Sequence, residues 1–81
     1  HDNVFGSYSS IMPNAATGGN VRVGEFSTLG MGASILQAVH IGTHTVIGAG
    51  AVLLENADDY SVVIGSPAKA KKTRKRGDPY L

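Results

Sequence analysis

No cysteine occurs in the 81 residues. Disulfides, thiolate metal sites and a cysteinyl acyl intermediate are thereby excluded. No apolar run approaches the ~18 residues of a membrane span, and no signal peptide is visible, so no membrane partner is expected. The initiator methionine is also missing: the chain opens on "HDNVFG", as a fragment of a longer protein would. Cations are scarce through most of the length. Residues 1–68 hold one base, Arg22, against five acids, net −4. Residues 69–81 hold six bases against Asp78, net +5. The body is mildly acidic and the tail cationic. Nucleic-acid binding needs a basic face on the folded body, which this charge balance denies. One core of this size is marginal alone, so oligomerisation is expected.

Glycine, by contrast, is plentiful, at 11 residues, and Val, Ile and Ala abound. These argue against a helical bundle and direct attention to internal repeats. Steps of six from Phe5 reach Phe5, Ile11, Thr17, Val23, Leu29, Ile35, Ile41, Ile47 and Leu53. All but Thr17 are large and apolar. Four residues after each come Ser9, Ala15, Val21, Ser27, Ala33, Val39, Thr45, Ala51 and Ala57, every one small or β-branched. Glycine follows the large residue at Gly6, Gly18, Gly24, Gly30, Gly42 and Gly48.

The period predicts very short strands, each followed by a turn. The large residue and the small one four positions later share the inward face, because strand side chains alternate. A corner leaves room inside only for a small side chain, and glycine eases the turn. Three units to a coil give about three coils of 18 residues, stacked as parallel strands ~4.8 Å apart. Periodicity leaves the hand open. Parallel crossovers are normally right-handed, and a right-handed β-helix is the alternative solenoid.

The units "VGEFST", "LGMGAS", "IGTHTV" and "IGAGAV" resemble the hexapeptide repeats of the left-handed β-helix acyltransferases. "VVIGSPAK" (62–69) is similar to the segment that closes the helix in that superfamily. The resemblance implies an all-β fold: a single-stranded left-handed parallel β-helix over residues 1–58, then a closing strand and basic tail over 59–81. Within the superfamily, "HDNVFGSYSSIMPNAATGGNVRVG" resembles the sialic acid O-acetyltransferase family, which includes N-acetyltransferases of UDP-amino-sugars. Members carry a His-Glu or His-Asp pair and a "GNV-x-IG" segment, matched here by His1-Asp2 and Gly19–Gly24. They have further coils upstream, and often a nucleotide-sugar-binding α/β domain.

By that resemblance His1 is the general base and Asp2 the carboxylate that polarises it. Acetyl transfer from a thioester requires the acceptor amine or hydroxyl to lose a proton as it attacks. Histidine accepts protons near neutral pH, and a carboxylate on its other nitrogen fixes the tautomer. Neighbouring residues in a straight strand point to opposite faces, so the pair must sit at a corner. The resemblance also assigns acetyl-CoA contacts to Ser10, Met31 and Ala49. Met31 and Ala49 lie 18 residues apart and should stack at one corner, with Pro13 completing the column. Ser10 is a departure, since close relatives have histidine there.

After "GSPAK" the family chain approaches the CoA nucleotide, where Lys69 would pair with phosphate. His40 and His44 occupy different positions of the six-residue frame, so no metal is expected. Tyr8, Phe26 and His44 form an outward aromatic column at 18-residue spacing, suited equally to a subunit interface or to a solvated stack. The expected activity is acetyl-CoA-dependent acetyl transfer to a sugar or nucleotide-sugar, by a cytoplasmic homotrimer with its cleft between subunits. The alternative is a non-catalytic trimerising β-helix fragment that lacks the acceptor-binding domain.

Overall fold

The computed structural model describes residues 2–73, with side chains described through residue 70. Among them there is no helix. Nine two-residue strands wind a left-handed parallel β-helix with three faces. The first face stacks β1 (Val4–Phe5), β4 (Arg22–Val23) and β7 (His40–Ile41). The second stacks β2 (Ser10–Ile11), β5 (Thr28–Leu29) and β8 (Val46–Ile47). The third stacks β3 (Ala16–Thr17), β6 (Ser34–Ile35) and β9 (Val52–Leu53). Register advances by 18 residues per coil, as in Val4↔Arg22↔His40.

The second residue of each strand points inward. Val23, Leu29, Ile35, Ile41, Ile47 and Leu53 are buried, together with the small corner residues Val21, Ala33, Val39 and Ala51. Burying such aliphatic side chains stabilises the fold by ~1.5–3 kcal/mol each. The first coil is different. Phe5 and Ile11, the inward residues of the first coil, are 44% and 43% exposed.

Corners explain the rest of the repeat. Where an i→i+3 hydrogen bond closes the turn, as in Ala15 N–H to the Met12 carbonyl (3.2 Å), the third turn residue is left-handed. This is the type II arrangement, which favours Pro second and Gly or Asn third; Met12-Pro13-Asn14-Ala15 follows it. The left-handed residue then donates its own N–H to the coil above, as Gly50 does to the Met31 carbonyl (2.8 Å). Glycine just after the strand has another cause. A Cβ on Gly24 would lie 2.6 Å from the Gly42 carbonyl carbon, so the coils stack too closely there for any side chain.

The last coil departs from the period. Ala57 bridges Ile41, only 16 positions earlier, and does not take the corner site that Val39 holds one coil above. The Asn56 side chain shortens this corner: its Oδ1 accepts the His40 N–H (2.8 Å) in place of a backbone carbonyl. The second face then continues through β10 (Ser61–Gly65), which lies parallel to β8. It ends in β11 (Ala68–Thr73), which turns back antiparallel to β10. The closing segment is therefore a hairpin, added below one face.

Candidate active site

Three edges run the length of the helix where its faces meet. The third edge, between third and first faces, carries Asp2, Asn20 and Ala38 in one left-handed column. Asp2 is exposed there, with φ 61°. A corner position for this carboxylate is what an adjacent His-Asp pair requires. His1 itself lies outside the described residues.

The second edge, between second and third faces, carries Pro13, Met31 and Ala49, stacked as their spacing predicts. The Gly32 N–H meets the Pro13 carbonyl at 3.0 Å. Met31 is 54% exposed and Ala49 is exposed beside it. Next to them stand Asn14, Gly32 and Gly50, all left-handed. A Cβ added at Gly32 or Gly50 would meet nothing within 4 Å. These glycines are thus required by backbone conformation and not by crowding. They leave a strip without side chains beside the exposed Met31 and Ala49. Ser10 is exposed on β2, two residues before this edge begins.

Lys69 sits on β11 opposite Ile64, two strands below β8 in the same sheet. It lines a cavity of roughly 210 Å³ at the closed end, with Glu55 and Asp58 at its rim and Leu53 and Val63 deeper. His40 lies on a strand of the first face, while His44 lies at a corner. Asp2 and the Met31–Ala49 pair therefore stand on different edges, with Ser10 and Lys69 on strands of the second sheet. Asp2 occupies the third edge; Met31 and Ala49 occupy the second; the third face separates them. A single chain does not bring them together.

Three arrangements escaped the repeat analysis. The aromatic column on the first edge has a fourth member, Tyr60, whose ring stacks on His44 at 4.8 Å. It lies 16 residues from His44, hidden by the shortened coil. Behind these rings runs a buried hydroxyl pair. Ser27 Oγ accepts the Thr45 N–H (2.9 Å) and donates to the Gly42 carbonyl (2.6 Å). Finally, Asn3 Nδ2 donates to Thr17 Oγ1 (2.8 Å), the one polar break in the large inward series.

Residues 20–55 match the family of bacterial transferase hexapeptide proteins (six repeats). Among curated proteins, the acyl-[acyl-carrier-protein]–UDP-N-acetylglucosamine O-acyltransferase of Pseudomonas entomophila is 34% identical over 95% of this chain and 30% of its own length. A mutant perosamine N-acetyltransferase from Caulobacter crescentus, solved with CoA and GDP-perosamine, superposes with a TM-score of 0.86 and 39% identity. The match covers 88% of this chain and 34% of that one. The acetyltransferase domain of PglB from Neisseria gonorrhoeae, in complex with acetyl coenzyme A, gives 0.85 and 38%, covering 86% and 34%. The chain thus spans about a third of the length of these proteins.

Proposed function

We propose that this chain, whose residues 20–55 match the bacterial transferase hexapeptide family, carries the catalytic pair and the CoA-binding edge of an acetyl-CoA-dependent sugar acetyltransferase. The observation that carries this reading is the contrast between edges: an exposed corner carboxylate beside His1 on one, and a bare, glycine-lined strip on the next. The similar proteins support it, since two of them were solved with CoA or acetyl-CoA and one with a nucleotide-linked amino sugar.

Acetyl-CoA, when bound, supplies an acetyl thioester as the electrophile. His1 takes the proton that the acceptor amine or hydroxyl loses during attack. Asp2 holds the imidazole in the required tautomer and stabilises the imidazolium. Met31 and Ala49 flank the pantetheine arm, Ser10 offers a hydroxyl near the thioester end, and Lys69 meets CoA phosphate. The transfer is direct, with no covalent enzyme intermediate: the acceptor's new bond to the acetyl carbon replaces the C–S bond, CoA leaves as its thiol by taking up the proton, and the acceptor is a sugar or nucleotide-sugar. Because base and CoA edge lie on different edges of one prism, the site forms where the third edge of one copy meets the second edge of another. A closed ring of three satisfies every such pairing.

Subunit mixing tests this. His1→Ala in the full chain should abolish turnover and retain CoA binding. Gly50→Asn, tolerable at a left-handed position, should block CoA. Copies carrying either change should be inactive alone, and a randomly reassembled equal mixture of the two should recover about a quarter of wild-type turnover. Undiminished turnover in His1→Ala removes the base assignment. No recovery on mixing, with trimers demonstrated, removes the shared site.

A further inference from the structure

Asn3 occupies the inward corner position that is Val21 one coil below and Val39 two coils below. Thr17 occupies the inward strand position filled elsewhere by Val, Leu, Ile or Phe. These two polar departures face one another. Asn3 Nδ2 donates to Thr17 Oγ1 at 2.8 Å, and Asn3 Oδ1 accepts the Val21 N–H at 2.8 Å. Elsewhere the inward corner N–H generally turns back on its own corner, as Ala33 does to Gly30 (3.1 Å) and Val39 to Leu36 (3.4 Å). The Asn3 amide is thus tied to both the incoming strand end and the coil beneath it.

We infer that Asn3 and Thr17 are positioning residues for the catalytic corner. The inference rests on the acetyltransferase reading above. Asn3 follows Asp2 directly, and Asp2 holds a left-handed backbone at φ 61°. An aspartate tolerates that conformation without strongly preferring it. The two hydrogen bonds fix the residue that follows, and with it the direction from which the Asp2 carboxylate leaves the corner. The same corner takes Val21 and Val39 in the coils below, so the position does not by itself call for an amide. Both amide groups are satisfied inside the corner, which favours one side-chain orientation over others.

The test uses the full chain and two pairs of variants. Asn3→Val and Thr17→Val copy the residue types found in neighbouring coils; Thr17→Ser keeps the hydroxyl. Both Val variants should lower kcat by about tenfold or more while KM for acetyl-CoA stays unchanged. Thr17→Ser should retain kcat close to wild type. If Asn3→Val fails to fold, the Thr17 pair decides. Wild-type kcat in Thr17→Val, or equal losses in Thr17→Val and Thr17→Ser, overturns the positioning role. His1→Ala measured alongside separates the two claims: full turnover there, or none in the wild type, overturns the acetyltransferase reading and this inference with it. Loss in His1→Ala beside intact Val variants overturns only this inference.

Discussion

The rings of Phe26 and His44 stack with centroids 5.0 Å apart and planes 22° from parallel, and both residues hold a left-handed backbone. A bulky side chain at positive φ is disfavoured, at ~1–3 kcal/mol per residue. Ring stacking returns ~0.5–1.5 kcal/mol per pair, and Phe26 makes two such pairs, with Tyr8 and His44. Phe26→Ala removes the stacking and keeps the strain; Phe26→Gly removes both. The glycine variant should therefore be more stable than the alanine variant by about 1 kcal/mol, read from urea denaturation midpoints. Equal midpoints would mean that backbone conformation is not what the ladder works against.

Glycines in the repeat have two separate causes, and alanine substitution should tell them apart. Gly24→Ala drives a methyl group against the Gly42 backbone and must push the neighbouring coils away from each other. Gly32→Ala meets nothing within 4 Å and suffers only from its φ of +71°. Thermal melts should show a loss of ~1 kcal/mol for Gly32→Ala and at least twice that for Gly24→Ala.

Ser27→Ala deletes the hydroxyl that joins the Thr45 N–H to the Gly42 carbonyl. Ser27 and Thr45 are both wholly buried. The Thr45 donor loses this acceptor in a site closed to water, at a cost of about 1–3 kcal/mol. Hydrogen exchange should report the change locally, with the Thr45 amide losing protection before those of the second edge. An unchanged Thr45 exchange rate would count against this hydroxyl as its acceptor.

Gly50→Asn should separate ligand binding from folding. The added side chain points into open space, so the melting temperature should stay within a few degrees of wild type. CoA affinity measured by calorimetry should fall by tenfold or more, since the bare strip becomes obstructed. Wild-type affinity in this variant would move the CoA arm to another edge.

Most of the fold was legible because a coil imposes the same demand every six residues. The large inward residue, the small corner residue and the glycine between them each answer one steric requirement, so Leu29, Ala33 and Gly30 announce their places. Tyr60 was missed because Asn56 closes its corner two residues early, and a side chain standing in for a carbonyl leaves no periodic trace. The Asn3–Thr17 pair was visible only as one break in the inward column, at Thr17. Its meaning needed the third dimension, where a residue 14 positions away supplies the partner. Asp2 and Met31 were suggested by the resemblance to the acetyltransferase family; that they stand on different edges follows from counting corners.

Eighteen residues to a coil also make length a discrete variable for this molecule. Inserting a whole coil before Ser10 would lower everything after it by one strand spacing, ~4.8 Å, and leave each edge chemically continuous. Inserting a single hexapeptide there would be far more disruptive, although every strand would still pair. Each later corner would advance by a third of a turn, and Met31 and Ala49 would arrive on the edge that now carries Asp2. The sequence can therefore grow or shrink only in steps of a full circuit without reassigning its edges. The two-residue shortening before Ala57 falls where just the closing hairpin remains to be placed.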